Sequence, residues 1–249
     1  MAKRVKDFDD YIFHAYFHLN EAQQYILAQG ITMKDFAENT KPLSNLLFLK
    51  PAYEESSYNM HTQLEFITSE DMEDFLEELE DHPIELCWID FEEEKKLAQL
   101  TPPEQAELLY LGHKKEALRS PFYFQLNNQF VYLSNEEEKK VKVYYRDSKA
   151  IELFIQSLFQ REMAKVGKPL FWKRKQQKAQ FTISPEQMRE IKEFAREGAF
   201  FSIYRVEKPQ VHFTLEIRTL SEFVYVNEIW DDLENFVQSE ADQTIAFST

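Results

Sequence analysis

Apolar and polar residues alternate along this chain with two different periods. From Val5 to Ile26 the apolar positions Val5, Phe8, Ile12, Ala15, Leu19, Ala22 and Ile26 recur every three or four residues. That spacing predicts a helix over 5–29, which Gly30 ends. Thr32 with Asp35 predicts a capped short helix to about Asn39. Leu46–Leu49 and Gln63–Thr68 predict strands, and Ile84–Phe91 another. Between the last two, Ser69–Asp81 predicts a helix with Met72, Phe75, Leu76 and Leu79 on one face. Strand, helix and strand in this length predict a small βαβ element with a parallel pair. Thr101-Pro102-Pro103-Glu104 opens a further helix, expected to end near Gly112.

From Phe122 the period becomes two. The runs "FYFQL", "NQFVYL" and "KVKVYY" predict a meander. A helix follows, capped at Asp147 or Ser148 and running to about Lys165. Ser184 with Gln187 forms another capping box, opening a helix to Gly198. "FFSIYRV" and "VHFTLEIRTL" predict strands, Val224–Val226 a short one, and Ile229–Ser239 a last helix. In the strand 211–220, Val211, Phe213, Leu215 and Ile217 are expected to face a core. His212, Thr214, Glu216 and Arg218 are then expected to form a polar outer row.

The class predicted is α+β: a helix-rich N-terminal half with a small βαβ element, then a C-terminal half of antiparallel strands with packed helices. The division falls at 1–120 and 121–249, with one compact domain as the alternative. The strings "FVYLSNE" (130–136) and "FVYVNE" (223–228) echo each other.

Composition removes several chemistries. Only four glycines occur in 249 residues (Gly30, Gly112, Gly167, Gly198), and no two are close; average usage is about 7%. A phosphate-cradling loop needs clustered glycines so that backbone N–H groups can approach the ligand. The P-loop, the dinucleotide fingerprint and the G-x-S-x-G elbow are therefore absent. One cysteine, Cys87, excludes an internal disulfide and any cysteine-rich metal site. No motif calls for a cofactor. The charged N-terminus, the single cysteine and the lack of a membrane-length apolar run point to a cytoplasmic protein that avoids the bilayer.

The net charge of −15 is concentrated. Residues 65–94 hold 14 acids and no Lys or Arg, leaving 44 − 14 = 30 acids against 29 bases elsewhere. Glu70, Asp71, Glu73, Asp74, Glu77 and Glu78 fall on the expected helix 69–81. They form a surface that would steer a basic protein partner. The reading that follows is a non-enzymatic interaction or regulatory protein docking such a partner through this segment.

Two other chemistries compete with it. His14 and His18, four apart on the expected first helix, have the spacing of a metal-binding pair. Asp90 and Glu92 form a D-x-E at a strand end, as Mg²⁺-dependent phosphoester hydrolases use. Neither has an evident set of further ligands. The segment 168–181 interleaves Lys168, Lys173, Arg174, Lys175 and Lys178 with Phe171, Trp172 and Phe181. Cations for phosphates and rings for bases make it a candidate grip on single-stranded nucleic acid. The net negative charge of the chain opposes that use.

Overall fold

The aromatic-rich stretch that opens the chain is a strand, not a helix. The computed structural model describes residues 8–50, 55–81, 85–135, 140–166, 182–206, 212–220 and 225–247. After a 3-10 turn at Phe8–Asp10 comes β1 (Tyr11–Asn20), then a turn, then β2 (Tyr25–Gln29). Along β1, Ala15, Phe17 and Leu19 are buried and alternate with half-buried His14, Tyr16 and His18. This period of two was present beside the helical one. Aromatic residues favour a pleated surface and resolve the ambiguity toward strand. Gly30, with φ 83, turns the chain out of β2 instead of ending a helix.

Contacts divide the chain into two units: a split unit, Met1–Leu19 with Phe154–Thr249, and a continuous unit, Asn20–Leu153.

The continuous unit contains α1 (Met33–Asn39), β3 (Asn45–Phe48), β4 (Ser57–Asn59), β5 (Leu64–Ile67), α2 (Met72–Asp81) and β6 (Cys87–Phe91). α3 (Glu94–Leu97), α4 (Pro102–Lys114), β7 (Phe130–Asn135) and β8 (Lys140–Tyr145) follow. Its strands are ordered β2-β8-β7-β6-β3-β5-β4. All of these neighbours pair antiparallel. The expected βαβ element is corrected by this order. β5 and β6 do run the same way, but β3 lies between them and is antiparallel to both, so no parallel pair forms. Six strands in the described part of 1–120 likewise replace a helix-rich half. "FYFQL" is not a strand either; it lies in the turns between α4 and β7.

One face of these strands packs α1 and α2. Phe36 of α1 meets the rings of Trp88, Phe130 and Tyr132, and Phe75 of α2 meets Phe48. The opposite face supplies Leu47, Cys87, Ile89, Val131 and Leu133 to a core shared with Leu97 of α3 and Leu108 and Leu111 of α4. Gly112 is inside α4, not beyond it. A Cβ there would stand 2.6 Å from Leu49 Cβ, so the absent side chain lets the helix approach the end of β3.

α5 (Ser148–Val166) passes from the continuous unit into the split one. α6 (Pro185–Glu197), β9 (Ala199–Val206), β10 (His212–Thr219), α7 (Val226–Asp231), α8 (Leu233–Gln238) and β11 (Gln243–Phe247) complete the chain. β11-β10-β9-β1 pair antiparallel. Phe13, Phe17 and Phe201 face Phe159 of α5. On the other side Phe200 meets Trp230 of α7 and Phe236 of α8. The helix expected over Ile229–Ser239 is thus two short ones, and Val226, expected in a strand, begins α7. β11 was not anticipated. The second half of the sequence echo begins outside the described residues and runs into α7, whereas its first half is in β7.

Candidate functional site

The acidic helix α2 forms where it was expected. Phe75 is wholly buried against Phe48 and anchors it. Met72, Leu76 and Leu79 are half-buried, while Asp71, Glu73, Asp74, Glu77 and Glu78 are exposed. Helical periodicity makes this division: one apolar stripe faces the sheet and everything else is turned to water. Glu70 is exposed just before the helix, and Asp71 accepts from Thr68 Oγ1 at 2.7 Å. Among the described residues, none of Glu73, Asp74, Glu77 and Glu78 is in an ion pair. Four carboxylates without an ion pair among the described residues share the outward surface of two helical turns.

Asp90 and Glu92 line one cleft of about 210 Å³, with Lys41, Asn127, Asp147 and Lys149. Side chains two apart on a strand point the same way, so the D-x-E spacing does bring them together. Their oxygens have other tasks, however. The β6–β7 ladder stops at the Ile89–Val131 pair. Beyond it the Asp90 carboxylate accepts the N–H of Gln129 at 3.0 Å and of Phe130 at 2.6 Å, extending the strand pairing with a side chain. Burial raises its pKa to about 6, and the hydrogen bonds from Phe130 and Gln129 offset this only in part. Glu92 accepts from Asn127 Nδ2 at 2.6 Å, and Asn127 accepts from Arg146 at 3.1 Å.

His14 and His18 share a face of β1, but four strand residues span about 13 Å. The helical adjacency behind a paired metal site is therefore lost. His14 stacks on Phe8 with ring centroids 5.4 Å apart, and its Nδ1 is 2.9 Å from Ser202 Oγ. Its pKa falls to about 4, mainly because burial disfavours the charged ring and also because Arg218 is near. Among the described residues no group of three or more His, Cys, Asp and Glu could hold a metal ion. Lys168, Trp172, Lys173, Arg174, Lys175 and Lys178 of the basic segment lie outside the described residues.

The polar row expected to face water on β10 is largely buried. Thr214, Glu216 and Arg218 are enclosed, with Arg218 donating to Glu216 at 2.8 Å and to the Val237 carbonyl of α8 at 2.7 Å. Tyr11 donates to Glu216 at 2.6 Å. Alternation located the two faces correctly. What it could not show was that α7 and α8 cover the second one.

Sequence reasoning also passed over Lys115. It caps α4 in the left-handed conformation, with φ 58, and carries its ammonium to Glu85 and to Cys87 Sγ. No helix of the described residues is long and apolar enough to cross a membrane. Comparison with family models, curated proteins and solved structures finds no match.

Proposed function

We propose that this chain is an interaction protein whose α2 surface docks a partner with a basic face. The observation that carries the reading is the set Glu73, Asp74, Glu77 and Glu78, exposed together and unpaired among the described residues. Like charges three and four residues apart on a helix repel, so the sequence accepts a local cost at this surface. A basic partner converts that repulsion into attraction and gains encounter rate by steering. Glu70 and Asp71 extend the same surface at the N-terminal end of the helix, where negative charge is favoured by the helix dipole. Phe75 packs on Phe48 and so anchors the helix that carries this surface.

The test is binding to an array of Lys- and Arg-rich peptides at low and at moderate salt. The intact chain is expected to bind at low salt and to weaken several-fold as salt rises. A variant with Glu73, Asp74, Glu77 and Glu78 changed to Lys is expected to lose the binding. Equal binding by both proteins refutes the reading.

A further inference from the structure

The only cysteine of the chain is part of a compact charged group in the continuous unit. Cys87 is fully buried at the start of β6, on the face covered by α4. Lys115, at the C-terminal end of α4, brings Nζ to 2.6 Å from Cys87 Sγ. The same ammonium is bonded to Glu85, which also accepts from Lys50 at 2.9 Å. The Lys115 ammonium is the main reason that the Glu85 carboxyl is held below its usual range.

Three features distinguish this group from an inert buried thiol. The N–S separation is well inside an ordinary N–H···S contact, and matches the span of two covalent bonds through one bridging atom. Lys115 adopts a backbone conformation that glycine or asparagine would hold more cheaply, and the turn places its amine against the sulfur. The group also reaches the surface. The Lys115 side chain is 20% exposed and that of Glu85 35%, so the charged partners of the buried thiol are in contact with solvent.

We propose that Cys87 and Lys115 form a reversible, oxygen-bridged covalent link when the protein meets dioxygen. The third ammonium proton of Lys115 first passes by way of Glu85 to solvent, leaving a neutral amine and an ionised Glu85. One oxygen atom then enters between Sγ and Nζ, making an S–O and an O–N bond. The thiol hydrogen and one amine hydrogen leave with the second oxygen atom as water. Sulfur and nitrogen each give up two electrons, and dioxygen accepts all four. Sulfur is left at the sulfenic level, the step of the oxidation ladder that thiols reverse. The bridge ties β6 to the end of α4 and removes the charge of Lys115, leaving Glu85 with Lys50.

The experiment compares the full chain kept under dithiothreitol without air with the same chain held in air-saturated buffer. Both are digested and read by mass spectrometry. The expected product is the Cys87 peptide joined to the Lys115 peptide, heavier than their sum by one oxygen and lighter by two hydrogens. Dithiothreitol should return the two separate peptides. Lys115→Arg keeps a cation beside Glu85 and the sulfur but has no amine to bridge, and should give no joined peptide. A Cys87 that stays a thiol in air, that carries only sulfinic or sulfonic acid, or that joins Lys115 without the added oxygen overturns the proposal.

Discussion

Glu216 and Arg218, two residues apart on β10, form an ion pair at 2.8 Å that is almost completely withdrawn from water. Side chains at this spacing leave the strand on the same face, so the pair is built into one element. Further hydrogen bonds to the pair come from outside the strand. Tyr11 donates to Glu216, and the Val237 and Ser239 carbonyls accept from Arg218. Breaking one partner of such a pair leaves an uncompensated buried charge, which costs about 3–5 kcal/mol. Glu216→Ala is therefore expected to destabilise the split unit by that order. The double change Glu216→Leu with Arg218→Met should cost less than either single change. Chemical denaturation of Glu216→Leu, Arg218→Met and the double variant checks this, and additive losses would show that the pair is not coupled.

A contact of a different kind limits α4. A methyl group at position 112 would meet Leu49 Cβ at 2.6 Å and Leu49 O at 2.7 Å. The second atom is backbone and cannot rotate away. Gly112→Ala gains about 1 kcal/mol of helix propensity. Against this, overpacking costs about 1–3 kcal/mol. A net loss of stability is expected. A larger denaturation midpoint for the variant would mean that the α4–β3 approach is looser than these distances require.

Much of the local structure was legible because it depends on neighbours in sequence. The capping boxes at Thr32, Thr101 and Ser184 all form, with the side chains of Asp35, Glu104 and Gln187 returning to the cap N–H. The apolar stripe of α2 was legible for the same reason. What failed depended on distant partners. Residues 11–20 satisfy both periods, and it is pairing with β9, nearly two hundred residues later, that selects the strand. The parallel βαβ reading failed because β3, earlier in the chain, takes the place between β5 and β6. Ser202 and Arg218 gave no sign of association with His14. Their meeting needs the strand order β10-β9-β1, which no local pattern encodes.

The charge on α2 allows docking and stability to be separated. Glu73 and Glu77 stand four apart, as do Asp74 and Glu78, and each like-charge pair costs about 0.2–0.5 kcal/mol. Changing Glu77 and Glu78 to Lys turns both repulsions into acid-to-base pairs in the favourable direction along the helix. The variant E77K/E78K is expected to be more stable than the natural chain at low salt, by about 1–2 kcal/mol, yet to lose binding to basic peptides. A surface that serves only solubility would show the gain in stability and no change in binding.

A half-buried histidine and a buried aspartate titrate in the same pH window with opposite consequences. The His14 pKa falls from 6.5 unfolded to about 4 folded. Between those values the unfolded chain binds the proton more readily, so His14 makes stability fall as pH falls through the window. For Asp90 the pKa rises from 3.8 to about 6. There the folded chain holds the proton more tightly, so Asp90 makes stability fall as pH rises from about 4 to about 6. His14 belongs to the split unit and Asp90 to the continuous one, so each slope can be removed alone. His14→Gln should leave stability falling with rising pH over this interval, and Asp90→Asn should leave it rising. If the two variants have the same slope between pH 4 and 6, measured by denaturant titration at each pH, neither group is buried as these contacts imply.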